Sequence, residues 1–462
     1  MRKTKIICTI GPNTCNYKKM LELTKAGMDV ARLNLSHGDY DFHKGIIDNV
    51  NKINKETEYL VSLLLDTKGS EVRSGDLSEN LTLVPGEEFT FTTRKCENKD
   101  CVFIKYEGFP EQAEKGDIVL VEGGLMSLEV LKTTKTDVIC KCIDGGELTS
   151  RRHINIRGKS ANLPSITKQD WKDIEFGIKN NVDFIALSFV KDGSVVLDLK
   201  KYLNKNNASH ISIISKIESV DAVKNLDEII RESDGIMVAR GDLGAELPIE
   251  EIPVIQKDIV SKCNKFGKNV IVATQLLESM IQNPTPTRAE VSDIATAVKE
   301  GADTIMLSGE TAAGAYPIKA VKVMDIVARN IENSTKHDCN AMTNLKDEMV
   351  NSATNISDNL CAKAIIVITR SGDTARRLSQ KRPNSSIFAF TSDINVKKQL
   401  NIYWGIQAFQ TKLSKKPKET VCSAINILKE KKLIKKGNTI VVVSDILVDK
   451  DIVSTVQIRT IR

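Results

Sequence analysis

The 462-residue sequence predicts an α/β protein: a (β/α)8 TIM barrel with an inserted small β-barrel lid domain and a C-terminal open-sheet α/β domain. Three observations carry this expectation. Short apolar, β-rich runs recur eight times before residue 311, with helix-like segments between most of them. One turn-rich, strand-like interval interrupts that rhythm. After the polar stretch "NSTKHDCNAMTNLKDE" the rhythm starts again.

The first run, "KIICTIG" (5–11), is separated from "DVARLNL" (29–35) by "YKKMLELTKAG", whose apolar residues recur at the three and four spacing of a helix face. "YLVSLLLD" (59–66) is the third. From Gly69 to about Ser165 the text changes to "NLTLVPGEEFTFTT", "KGDIVLVEGGLMSLEVL" and "DVICKCIDGGEL". Short strands with glycine-containing turns and no long helix read as an inserted β domain. "VDFIALSF" (182–189), "SIISKIE" (212–218), "GIMVARGD" (235–242), "NVIVATQ" (269–275) and "TIMLSGE" (304–310) then complete the barrel. "AKAIIVIT", "SSIFAFT" and "NTIVVVSD" supply the last domain. The expected boundaries are 1–68 with 165–333 for the barrel, 69–164 for the lid and 334–462 for the C-terminal domain.

Composition narrows the class. An apolar fraction of 41% is enough for real cores, and a net charge of +6 is too small to argue for nucleic acid or membrane. No run of about 20 apolar residues spans a bilayer. The ten cysteines form no CxxC pair, which predicts reduced structural thiols. The N-terminal apolar stretch is too short for a secretory signal, so a cytoplasmic enzyme is expected.

Chemistry in βα barrels gathers at the C-terminal ends of the strands. Here strand two carries Arg32, Asn34 and Ser36 at every second residue, on one face. Strand three ends in Asp66, Thr67 and Lys68, and strand five carries Lys216 and Glu218. Strand six gives Arg240, Gly241 and Asp242, strand seven Thr274, and strand eight Ser308 with Glu310. Glu218 and Asp242 suit a hard divalent cation that also takes substrate oxygens, typically Mg2+. The five histidines form no HxH or HxxxH pair, which disfavours zinc. Lys216 could form a Schiff base, act as a base or stabilise transferred charge. Arg32 and Arg73 favour phosphate or carboxylate ligands. Cations, a metal and no evident nucleophile point to phosphoryl transfer. "GKS" at 158–160 lacks the earlier glycine of a Walker loop, because His153 stands there.

These residues resemble the pyruvate kinase family. The resemblance rests on "TKIICTIGP", "MDVARLNLSHG", "LLLDTKGSEVRSG", "IISKIES", "DGIMVARGDLGAELP", "KCNKFGKNVIVATQLLESMIQNPTPTRAEVSDIATAV" and "MLSGETAAGAYP", in order along the chain. It implies transfer of the phosphoryl group of phosphoenolpyruvate to ADP, giving ATP and, after protonation of the enolate, pyruvate. It implies Mg2+ on Glu218 and Asp242, and Lys216 against the phosphoryl group in flight. It places the backbone of Ala239, Arg240 and Gly241 on the substrate carboxylate, with the glycine allowing close approach. Arg32 would lie on the transferred phosphate and Thr274 near the face where the enolate gains its proton. Arg73, Arg152, Asn34 and His37 would meet the nucleotide. Asn34, Ser36, Asp66 and Thr67 match a K+ site, and Glu71 supports that match, because K+-independent members carry lysine there. A homotetramer is implied, with no nucleic acid or membrane partner. An aldolase, a silent metabolite-binding protein and a nucleic-acid module are the rival classes. The inserted domain with Arg73, the intact Lys216, Glu218 and Asp242, and the near-balanced charge count against them in turn.

Departures cluster in the lid. Ser70 replaces a hinge proline, which predicts a looser hinge. Glu122-Gly123-Gly124 stands for Asp-Asp-Gly, and Arg157 for a proline. In the C-terminal domain "TRSGDTARR" resembles a phosphate-binding effector loop, with Thr369, Ser371, Gly372 and Thr374 as its candidate contacts and Asp373 an unfavourable charge inside it. The glycine-containing loop expected after the last strand reads "VVVSDILVDKDIVST" instead. A sugar phosphate, AMP or no effector are the alternatives.

Overall fold

The computed structural model describes residues 2–96, 99–332, 334, 345–414, 416–448 and 451–462. Eight parallel strands close into a barrel: Lys5–Thr9, Val30–Asn34, Ser62–Asp66, Phe184–Leu187, Ser212–Ile217, Gly235–Ala239, Asn269–Ala273 and Thr304–Leu307. Each lies inside one of the eight apolar runs. The runs are almost uninterrupted because both faces of a parallel strand are covered. Alternate residues such as Ile7, Leu64, Phe184, Ile214 and Met306 join one core cluster, while Ile6, Leu63, Ile185 and Ile213 join another that packs on the helices.

Local sequence sets the helix ends. Thr167 with Asp170 and Thr287 with Glu290 form reciprocal capping boxes, which satisfy two backbone amides at the start of each helix. Gly267 (φ 72°) and Gly301 (φ 97°) stop the helices Ile252–Phe266 and Arg288–Glu300 in the left-handed conformation that glycine adopts without strain.

The interval after the third barrel strand folds into a six-stranded sheet and a two-stranded ribbon. Both pack on one apolar core that includes Leu81, Phe91, Leu128, Val138 and Leu148. Its cysteines correct one expectation: Cys140 and Cys142 are free and buried, but Cys96 and Cys101 are joined as a disulfide.

The last domain is a five-stranded sheet, four strands parallel and the edge strand antiparallel. Much of the polar stretch that precedes it lies outside the described residues. The described residues of "VVVSDILVDKDIVST", which stands where a glycine-containing loop was expected, belong to two long paired strands, Thr439–Val448 and Asp451–Thr460. β-branched residues on both arms favour pairing over a loop. This domain closes the end of the barrel opposite the polar strand ends. There the Ile402 carbonyl accepts from Asn269 Nδ2 (2.9 Å) and Thr304 Oγ1 (2.8 Å), at the first residues of strands seven and eight.

Candidate active site

The polar strand ends converge on one buried cluster. Lys216 Nζ lies 2.8 Å from Glu218 Oε1, 3.1 Å from Asp66 Oδ1 and 2.8 Å from Ser188 Oγ. Arg32 donates to Asp66 Oδ2 (2.6 Å) and to Thr9 Oγ1 (2.9 Å). Glu218 Oε2 accepts from the Phe189 amide (2.7 Å), whereas Oε1 is buried and, beyond its ion-pair contact with Lys216, makes no hydrogen bond. Asp242, in the short helix Arg240–Leu243, faces Glu218. Ser188, which directly follows strand four, and Thr9, which ends strand one, were not singled out by the sequence reading. They supply the hydroxyls that hold Lys216 and Arg32.

Electrostatics limit what the cluster can do. Burial alone would lower the Lys216 ammonium, but Asp66, Glu218 and Asp242 raise it above its ordinary value. It therefore stays charged, which favours stabilisation of transferred charge over a Schiff base or a general base. Burial pushes Asp66 up, yet Arg32 and Lys216 hold it below the usual carboxylate range. Burial raises Glu218 and Asp242, and Asp242 adds to the rise at Glu218. Two carboxylates buried side by side, with the Lys216 ammonium against one of them, form a donor pair that would suit a hard divalent cation. Among the described residues no group of three or more His, Cys, Asp or Glu side chains assembles for a metal, so substrate and water would supply the remaining oxygens.

A second set of contacts shapes the loop after strand seven. Thr274 (φ 68°) and Gln275 (φ 55°) are consecutive left-handed residues, an uncommon conformation and a strained one for a β-branched threonine. Arg240 maintains it: its guanidinium donates to the carbonyls of Thr274 and, at 3.2 Å, Ala273, and pairs with Asp293 at 2.8 Å. The Arg240 side chain is thus turned into the protein and leaves its backbone at the mouth. The Gly241 amide donates to Thr274 Oγ1 (3.0 Å). A Cβ at Gly241 would meet protein no nearer than 3.7 Å, so close approach to the protein does not explain this glycine. Glu310 does not reach the mouth either. It is buried and accepts from the amides of Leu277 (3.1 Å) and Ser308 (2.7 Å), fixing two loops of the rim.

The remaining candidates fall around this centre. Asn34 is the register partner of Asp66, which sets side by side the strand ends carrying the oxygens of Asn34, Ser36, Asp66 and Thr67. Arg32, Asn34 and His37 line a cleft of about 720 Å³ with Thr9 and Ser308. Arg73 and Arg152 lie on the lid side, paired with Glu71 (2.5 Å) and Glu122 (2.5 Å). Thr369, Ser371, Gly372 and Thr374 belong to the C-terminal domain.

A family model described as "Pyruvate kinase, barrel domain" matches residues 1–321, and one described as "Pyruvate kinase, alpha/beta domain" matches residues 347–458. The chain belongs to the pyruvate kinase family. It is 51% identical over 450 residues to pyruvate kinase isozyme G, chloroplastic, of Nicotiana tabacum, covering 96% of this chain and 80% of that one. It is 50% identical to plastidial pyruvate kinase 2 of Arabidopsis thaliana, covering 96% and 78%. A crystal structure of a pyruvate kinase from Cryptosporidium parvum superposes with a TM-score of 0.92 at 37% identity, covering 100% of this chain and 96% of that one. The enzyme is a phosphotransferase that acts on phosphoenolpyruvate and ADP and yields pyruvate, and the pyruvate kinase family uses metal ions. The plastid relatives overturn the expectation of a cytoplasmic enzyme.

Two departures from the pyruvate kinase pattern acquire structural meaning. Ser70, in place of the hinge proline, donates its hydroxyl to the Pro164 carbonyl and so ties the outgoing lid strand to the returning one. That bond opposes the freedom in φ gained with the loss of the proline ring. Asp373, the charge read as unfavourable for a phosphate, is paired with Arg377 (3.1 Å) and Lys346 (3.5 Å).

Proposed function

We propose that this pyruvate kinase works with Mg2+ on Glu218 and Asp242 and with K+ beside Asn34, Ser36, Asp66 and the Thr67 carbonyl. The observation that carries the reading is the buried Lys216 ammonium, held between Asp66 and Glu218 with Asp242 beyond. When bound, Mg2+ supplies charge neutralisation at the phosphoryl and enolate oxygens. The chain's own residues do the rest. Lys216 offsets charge on the phosphoryl group and then on the enolate, and Arg32, braced by Asp66 and Thr9, orients the phosphate. The backbone of Ala239, Arg240 and Gly241 receives the substrate carboxylate, with Gly241 leaving room for it. Thr274, fixed by Arg240, stands over the face where the proton arrives. Asn34 and His37 in the cleft, with Arg73 and Arg152 from the lid, take the nucleotide.

The catalytic barrel on this reading is 1–68 with 165–333, the lid 69–164 and the regulatory domain 334–462. Thr369, Ser371, Gly372 and Thr374 would take a sugar phosphate or AMP, and the enzyme would assemble as a homotetramer in a plastid. Glu71 provides the test of the monovalent site. In K+-free buffer the wild type is expected to lose most of its pyruvate formation, and Glu71→Lys, which brings its own cation, is expected to retain it. Equal dependence of both proteins on K+ would remove the K+ assignment and leave the Mg2+ site standing.

A further inference from the structure

We propose that Ser160 and Glu246 are positioning residues that couple the lid to the loops carrying Glu218 and Asp242, so that the nucleotide is set against the metal carboxylates only while this link is made. The inference rests on the function proposed above. Glu246 is 4% exposed, and its Oε2 accepts two hydrogen bonds, from Ser160 Oγ (2.8 Å) and from the Val220 amide (2.9 Å). Ser160 lies on the chain returning from the lid, four residues after the lid strand Ile154–Ile156 ends. Val220 is two residues past Glu218, and Glu246 is four residues past Asp242. One carboxylate oxygen therefore joins the lid strand to the segments that carry both metal candidates.

Neighbouring bonds run the same way. The Gly158 amide donates to the Glu246 carbonyl (2.7 Å), and Lys191 Nζ donates to the carbonyls of Ala161 (2.7 Å) and Leu163 (2.8 Å). The outgoing lid strand crosses at Gly69, where φ is 72° and a Cβ would sit 2.7 Å from side-chain atoms of Ser188 and Phe189. Those two residues hold Lys216 and Glu218. Both crossings thus bear on the residues around the carboxylates. A hydrogen bond to an ionised acceptor is among the stronger ones a protein makes. Burial raises Glu246, and the bonds from Val220 and Ser160 oppose that rise.

Ser160→Ala and Ser160→Thr in the full chain separate this role from plain packing. Initial rates are measured with ADP and phosphoenolpyruvate varied in turn, beside thermal midpoints. Ser160→Ala is expected to raise KM for ADP by about 10-fold, with KM for phosphoenolpyruvate and the midpoint nearly unchanged. Ser160→Thr, which keeps the hydroxyl, is expected to restore KM for ADP. Glu246→Ala, if it folds, is expected to reproduce the selective defect. An unchanged KM for ADP in Ser160→Ala overturns the inference, as does a parallel rise for both substrates with a lowered midpoint. A folded wild type with no ADP-dependent pyruvate formation overturns the function itself.

Discussion

Lys216→Ala is expected to lower turnover by about 100- to 1,000-fold, the usual cost of removing one preorganised charge from a transition state. The ammonium is buried and touches Asp66, Glu218 and Ser188, so no water-borne cation replaces it easily. The same substitution leaves Asp66, Glu218 and Asp242 without their shared counter-charge. Those carboxylates should then hold a divalent cation at least as tightly as before. Steady-state rates across a Mg2+ titration check both parts: turnover collapses while half-activation stays put or moves to lower Mg2+. A collapse in turnover together with weaker Mg2+ activation would mean that Lys216 only maintains the fold of the cluster, and a melting curve would show it.

Asp242→Asn is the second large effect. It removes one of the two protein ligands proposed for the divalent cation, and should raise half-activating Mg2+ by more than the roughly 100-fold upper range seen when a residue behind a metal ligand is lost. Its pH signature has a definite sign. Burial raises Glu218 and the neighbouring Asp242 raises it further, so protons and metal compete for the pair. Without the Asp242 charge the Glu218 value falls. The acid limb of activity at limiting Mg2+ should therefore move to lower pH in the variant. A limb that moves to higher pH, or an unchanged Mg2+ requirement, would take Asp242 out of the metal site.

The barrel was legible because its strands are covered on both faces, so apolar runs such as "VDFIALSF" stand out from the amphipathic helices between them. The charged members of the site were legible for a related reason. Arg32, Asp66, Lys216 and Glu218 interrupt or end runs where a charge must have a partner. Ser188 and Thr9 were not, since a hydroxyl can satisfy itself against nearby backbone and carries no such demand. The direction of the arginine is not written in "ARGD", and Arg240 turns inward to hold Thr274. The left-handed Thr274 and Gln275 run against side-chain preference and depend on that distant contact with Arg240 and Asp293. Glu310 is similar, an acidic residue at a strand end that caps backbone amides of two loops. The paired strands Thr439–Val448 and Asp451–Thr460 were hidden by acidic residues at their joining end, although β-branched residues run along both arms.

The central claim is that Glu218 and Asp242, beside Lys216, would hold a divalent cation that neutralises charge during phosphoryl transfer to ADP. The most direct measurement is the rate of pyruvate formation from phosphoenolpyruvate and ADP by the wild type as Mg2+ is chelated and then restored at constant K+. The account predicts that the rate vanishes with chelation and returns saturably with Mg2+. Turnover that persists at full rate after chelation, with the protein folded, would contradict it.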